Sequence, residues 1–568
     1  MLPAPIATRY CRCRSPWRTR AVAIACAVAL GCPAALPPAV AQTRLPTLGD
    51  PASEDFGIAT ERQLGDAIMR EIRADPDYLD DPVLLEYLRS LWLPLVAQAR
   101  VRGNINADVD ARLAWEPFLV RDRSVNAFAL PGGYVGVHLG LMAMTSSRDE
   151  LASVLAHELS HITQRHIARS IANSKHQTLL SLAALVVGVL AASRAGNSSA
   201  DATNAAIVGS QALAAQGQLN FSRDMEREAD RVGFAVMSGA GFAPGGMAAM
   251  FEKLDHSSRL NDSGGFPYLR SHPLTSERIG EARARMGTSD PSRMGAPEPS
   301  RPGASPATAP ASALEHTAAQ ARSRVLMDAR FDALRRWQAL DGDRVAATVA
   351  DKLASAYESA LASTLLRDWA RADASITTAL ALVRGVGAGA GAGGTPDVRA
   401  ERAVILLQAQ SLLARGEVTR ALAALAPIAA DGSRPVLLLA AQAALAGSAS
   451  AASATASASA PGVSEALRQR ASDLQTWVAL NPRDSLAWTA LAQIDERLGQ
   501  PLRAIRADAE SRVALGDLSG AADRLRAGQR RARSGGAVDF IDVSVIDARL
   551  RDIEVQRKKN EVDEKALK

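Results

Sequence analysis

Two of the eight histidines in this 568-residue chain stand four apart, in the run Leu151-Ala-Ser-Val-Leu-Ala-His157-Glu158-Leu-Ser-His161. In a helix that spacing puts both imidazoles on one face, where they can share a tetrahedral metal ion. Glu158 is turned by about 100° from His157, so it stands beside the metal instead of ligating it. That is the placement of a general base toward a metal-activated water. At this chain's composition an HExxH would arise by chance roughly once in 200 chains. The competing reading, two surface histidines on one helix face, conflicts with the apolar Leu151, Val154, Leu155, Leu159 and Ile162 around the motif. Those residues ask for a buried site.

Two imidazoles leave zinc short of ligands. The segment Ser222-Arg-Asp-Met-Glu226-Arg-Glu228-Ala-Asp230 continues through Val232, Phe234, Ala235 and Met237 with helical character. Glu226 and Asp230 share a face at i and i+4. Glu226 can ligate while Asp230 holds a ligating imidazole, and Glu228 points elsewhere. Taken alone, the segment reads equally as a solvated charged face. His272, before Pro273, is either a cleft residue or an ordinary loop histidine at a helix start. His166 reads as structural, and His138 receives no role.

The elements that must position these groups form an α+β, mostly helical domain over residues 50–286. Thr60–Ile72 and Leu84–Ala99 read as amphipathic helices, the second ending or kinking at Pro94. Trp115–Val120 reads as a strand, with Pro117 suggesting an edge position. Asn126–Leu130 and Tyr134–His138 read as a hairpin around Pro131-Gly132-Gly133. A helix from about Arg148 carries the HExxH. An edge strand at Asn126, Ala127, Phe128 and Ala129 can bind substrate backbone by strand addition, or be a plain hairpin.

The pairing of His-Glu-Leu-Ser-His with Ser-Arg-Asp-x-Glu-x-Glu-Ala-Asp resembles the HtpX and CAAX-prenyl-protease clan of zinc metallopeptidases, as does Asn126-Ala-Phe-Ala-Leu-Pro-Gly-Gly-Tyr-Val. The resemblance implies one zinc per chain, held by His157, His161 and Glu226, with Asp230 behind them. It also implies that His272 can fill the open zinc position and suppress activity until displaced, with Arg278 steadying the oxyanion or substrate. The chain lacks that clan's membrane spans. It is similar to the clan's signal-bearing branch, in which the peptidase precedes tetratricopeptide repeats. That branch implies unfolded or misassembled envelope proteins as substrates and the outer-membrane β-barrel assembly machinery as a partner.

Residues 1–41 carry Arg9, Arg12, Arg14, Arg18 and Arg20, then the apolar Ala21–Leu30 and the small-x-small run Ala39-Val40-Ala41. This is a secretory signal pattern, which predicts export to the periplasm. Removing it takes away all four cysteines and five of the net charges, so 5 − 5 = 0 remains. A cysteine nucleophile is then excluded, and nothing supports nucleic-acid binding. The apolar run 179–192 is too short to span a bilayer; it reads as a buried or capping helix, or as one touching a membrane surface. Residues 287–312 read as a Pro-rich linker, and 385–394 and 447–461 as flexible loops. Residues 313–555 read as tetratricopeptide-like helical pairs, with Gly416, Gly499 and Gly516 at turns and Ala421, Ala504 and Ala521 at close helix contacts. Residues 556–568 form a charged tail. The rival functions are a chaperone or scaffold with a locked peptidase site, and a protein whose zinc is structural.

Overall fold

The computed structural model describes residues 57–173, 223–260, 266–287, 313–343, 348–385, 396–454, 461–533 and 540–567. The predicted export signal, the apolar run 179–192 and residues 288–312 of the predicted linker lie outside them. Among the described residues no helix is long and apolar enough to cross a membrane.

The first half runs α1 (Ile58–Ala74), β1 (Tyr78–Leu79), α2 (Pro82–Val101), α3 (Ala107–Arg112), β2 (Glu116–Val120), β3 (Ala127–Leu130), β4 (Tyr134–His138), α4 (Leu139–Met144), α5 (Arg148–Thr163), α6 (His166–Asn173), α7 (Arg223–Gly239), α8 (Gly245–Leu260), α9 (Tyr268–Ser271) and α10 (Ser276–Gly287). The sheet order is β1-β2-β4-β3, with β2 and β4 parallel and β3 antiparallel to β4. The hairpin is therefore present, and β3 is an edge. Its turn is made by Gly132 and Gly133 at φ 80 and 87, which side chains resist.

Two expectations are refined. Of the end or kink expected at Pro94, the end is excluded, because the helix continues to Val101. Pro94 lies on the exposed side, where water can take the carbonyl its missing N–H leaves unbonded. Strand β2 is not an edge along its length: β1 pairs with Leu119 and Val120 on one side and β4 covers the other. Since β1 is only two residues long, Pro117 keeps an unpaired side.

Helix α5 starts where Ser147 accepts a hydrogen bond from Glu150 N at 3.2 Å, and it is buried from Glu150 to Ile162. It packs on α2, α7, α8 and the hairpin. One apolar core gathers Leu88, Leu91, Trp92 and Leu95 of α2, Val135 and Val137 of β4, Leu151 and Leu155 of α5, and Val236 and Met237 of α7. Burial on every side makes α5 a rigid platform for its polar residues.

The second half is all helical: α11 (Ala313–Leu326), α12 (Phe331–Asp343), α13 (Val349–Leu365), α14 (Trp369–Val383), α15 (Val398–Ala414), α16 (Val418–Leu425), α17 (Arg434–Ala454), α18 (Pro461–Leu480), α19 (Ser485–Arg497), α20 (Pro501–Leu515), α21 (Leu518–Arg533) and α22 (Phe540–Leu567). Gly416, Gly499 and Gly516 close the turns after α15, α19 and α20 at φ 81, 71 and 89. Ala421, Ala504 and Ala521 are buried. One loop expectation gives way to helix, since α17 runs through Gly447 to Ala454; the charged tail, over 556–567, is the end of α22.

Helix α11 closes over the first half. His316 Nδ1 lies 2.6 Å from Tyr87 Oη and its Nε2 3.1 Å from the Thr145 carbonyl. Arg322 grips Asp81 with both arms at 2.7 and 2.8 Å.

Candidate metal centre

The polar residues on α5 face those on α7 across a contact that only a small residue allows. A Cβ at Gly233 would lie 3.0 Å from the Ala156 carbonyl oxygen and 3.1 Å from His157 N. Both neighbours are backbone, so neither can swing away. Gly233→Ala should therefore destabilise the fold by about 1–3 kcal/mol, although alanine is the better helix former by about 1 kcal/mol. Thermal unfolding checks this, and a stabilised variant would contradict it.

Across this contact His157, His161, Glu226 and His272 converge, each buried, with one ligand atom apiece within 4.8 Å of the others. The Nε2 atoms of His157 and His161 are 3.0 Å apart. His272 Nδ1 lies 3.4 Å from His157 Nε2 and 2.9 Å from Glu226 Oε1. Glu226 carboxylate oxygens lie 3.5 Å from each of the two α5 imidazole nitrogens. Ligands on tetrahedral zinc at about 2.1 Å sit about 3.4 Å from one another. These donor separations, 2.9 to 3.5 Å, lie near that spacing, so the residues fit the ion.

The electrostatics agree. Burial works against charge at every group here. Even so, His272 and His157 hold the Glu226 carboxyl well below the usual carboxylate range. Arg278 and His157 also lower Asp230, again against burial. Burial would lower His157, but Asp230 and Glu226 lift it to about 10. Burial, with neighbouring His157 and His272, depresses His161. The site thus concentrates two carboxylates and draws in positive charge, which a divalent cation supplies better than one proton.

Behind the donors, His157 Nδ1 lies 3.0 Å from Asp230 Oδ1, leaving Nε2 to face the other ligands. Arg278 is placed differently from expectation. Its Nε and Nη2 hold Asp230 at 2.7 and 2.8 Å, while Nη1 reaches Glu226 Oε2 and the Pro273 carbonyl at 2.9 Å each. With these donors committed, Arg278 braces the two carboxylates instead of waiting for an oxyanion. Its fixed fork suits that task.

Glu158 stands outside the donor set. One oxygen, Oε2, accepts the Ala129 N–H at 3.0 Å. The other, Oε1, is buried without a hydrogen-bond partner among the described residues, 3.6 Å from His272 Nε2. Burial raises this carboxyl above its ordinary value, which strengthens it as a proton acceptor. Asn126 O accepts from His138 N at 3.0 Å. By the period of two, Ala127 and Ala129 turn their backbone groups to the open edge of β3. Phe128 packs edge-on against Phe118 and His138 instead. Tyr268 lies over His272, ring centroids 4.7 Å apart.

Sequence reasoning missed two partners. His166, read as structural, stands against His161, and Glu228, read as pointing elsewhere, reaches His166. The signal available was a third histidine five residues beyond His161, with an acidic residue two positions past the proposed ligand.

These elements and donors form a centre fitted to a metal ion and built on an HExxH helix. Residues 96–286 match the sequence profile of peptidase family M48. Curated relatives extend the likeness. A putative beta-barrel assembly-enhancing protease of Vibrio cholerae is 39% identical over 251 residues, covering 44% of this chain and 49% of that protein. The beta-barrel assembly-enhancing protease of Escherichia coli is 34% identical over 247 residues, covering 44% and 48%. A mitochondrial metalloendopeptidase OMA1 of Schizosaccharomyces pombe is 34% identical over 187 residues, covering 31% and 50%. The chain thus matches about half the length of these relatives.

Proposed function

We propose that this protein is a periplasmic zinc endopeptidase acting on misfolded or stalled envelope proteins, whose C-terminal tetratricopeptide-like helices recruit substrate or the outer-membrane assembly machinery. The observation that carries the reading is the convergence of His157, His161 and Glu226 with Glu158 buried beside them. The names of the relatives and the N-terminal signal pattern support the location and the substrate class.

In this reading His157, His161 and Glu226 hold one zinc, and Asp230 and Arg278 keep those donors aimed. Bound there, zinc polarises a carbonyl and makes water a stronger acid. Glu158 Oε1 takes a proton as the water oxygen attacks the peptide carbon. It returns that proton to the departing amine nitrogen as the C–N bond breaks. A substrate strand pairs with the outward backbone of Ala127 and Ala129. Its arrival must release the Ala129 N–H from Glu158, so pairing and freeing of the base are coupled. The test is cleavage of an unfolded β-barrel protein by the purified chain: chelation should stop it and stoichiometric zinc restore it. Cleavage unaffected by metal removal would reject the reading.

One observation favours the chaperone or scaffold alternative, in which the peptidase is normally shut. His272 already stands at the fourth donor position, and a catalytic zinc needs that position for water. His272→Ala should therefore raise turnover of unfolded substrate by about threefold or more, with zinc retained by the other donors. Unchanged or lower turnover would remove His272 from the role of a lock.

A further inference from the structure

The two histidines of the HExxH are held from behind in different ways. His157 has Asp230. His161 Nδ1 faces His166 Nδ1 at 3.0 Å, and His166 Nε2 faces Glu228 Oε2 at 3.1 Å. The two rings are nearly perpendicular, 77° between planes, with centroids 4.9 Å apart. His166 is fully buried. Arg169 Nη1 donates to the same Glu228 oxygen at 3.0 Å, fixing it at the rim.

The backbone is bent to make this contact. Helix α5 ends at Thr163, and Arg165 takes a left-handed φ of 52. A buried non-glycine residue rarely adopts that conformation without compensation. Here the Arg165 guanidinium is pinned to buried Glu61 at 3.2 Å, and its N–H bonds to the Ile162 carbonyl at 3.0 Å. The reversal starts α6 at His166 and turns its ring back onto His161. An uninterrupted α5 would carry position 166 about 500° around the axis from 161, which is 140° away from it.

From this geometry the structure assigns His166 and Glu228 as a positioning relay for His161: Glu228 accepts from His166 Nε2–H, and His166 Nδ1 accepts from His161 Nδ1–H. That direction of donation leaves the His161 Nε2 lone pair aimed at the metal. Ligating histidines gain affinity and a fixed tautomer from such a partner. Helix α7 then supplies three successive functions at alternate positions: Glu226 as donor, Glu228 behind one imidazole and Asp230 behind the other. His166, Glu228 and Asp230 all stand outside the group of four convergent donors.

The inference rests on the zinc reading of the site, and one experiment separates the two. Zinc affinity is measured by chelator competition on the full chain, and the visible spectrum is recorded with cobalt in place of zinc. His166→Ala should weaken zinc by about 10–100-fold and alter the cobalt bands. His166→Asn, whose side-chain oxygen falls where Nδ1 stood, should recover most of both. Glu228→Ala should give a smaller loss of the same kind. If His166→Ala is too unstable to purify, an Asn variant with wild-type affinity and spectrum beside a weakened Glu228→Ala still supports the relay. Wild-type affinity in both His166→Ala and Glu228→Ala would overturn it. An equal loss in His166→Asn and His166→Ala would mean that packing, not acceptance of the His161 N–H, is what His166 supplies. His157→Ala serves as the reference: if it too binds zinc normally, the zinc reading itself has failed.

Discussion

Replacing Glu158 with glutamine should reduce peptide hydrolysis by about 10²–10⁴-fold while zinc binding stays close to wild type. Glutamine preserves the shape and can still accept the Ala129 N–H at its amide oxygen. What it cannot do is take a proton. Glu158 is not among the four convergent donors, so its loss leaves their spacing intact. Its buried Oε1 has no other hydrogen-bond partner among the described residues, so no second structural duty obscures the result. Zinc content and cleavage of an unfolded substrate, measured on one preparation, decide the matter. Hydrolysis at the wild-type rate would end the mechanism proposed here.

Arg278→Leu should have the largest effect on stability. The change removes the fork on Asp230 and the arm on Glu226, leaving two carboxylates buried side by side. Breaking such a pair from one side costs about 3–5 kcal/mol, seen as a drop of several degrees in Tm. Zinc supplies positive charge to the same carboxylates, so the deficit should be greatest in the metal-free protein. The pH dependence has a definite sign. Both carboxyls are held below their ordinary values in the fold, so their contribution is complete above about pH 4 and lost as pH falls through the folded values. The gap between wild type and variant should narrow in acid. A variant as stable as wild type at neutral pH without metal would show that Arg278 is not the brace described.

Much of this site was legible because its signals are local. The i, i+4 pairs His157–His161 and Glu226–Asp230 each lie on one helix, where spacing alone sets the face. The Pro-Gly-Gly turn marked the hairpin. The start of α5 was legible from its polar boundary. What stayed hidden depends on meetings between distant segments. Nothing near Arg278 says that Asp230, 48 residues away, will take its fork. Nothing near Pro94 says that its side of α2 faces solvent. One of the two pairing partners of β2 is a two-residue strand, too short to show alternation. The contact between His166 and His161 stayed hidden because ordinary helical geometry puts the two far apart, and only the left-handed turn at Arg165 brings them together.

The grip of the second half on α2 bears on how this protein can be dissected. Asp80 is held by Arg434 at 2.6 Å, Asp81 by Arg322 at 2.7 Å and Glu86 by Arg402 at 2.8 Å. Three arginines from three helices thus clasp the first turn or so of one helix that also lines the core around α5. Ala319 of α11 belongs to that same core. A chain cut after Gly287 would keep every donor of the metal centre yet leave three acidic residues without counter-charges and a strip of core open to water. Failure of such a fragment to bind zinc or cleave protein would therefore report a lost foundation, not the absence of an active site.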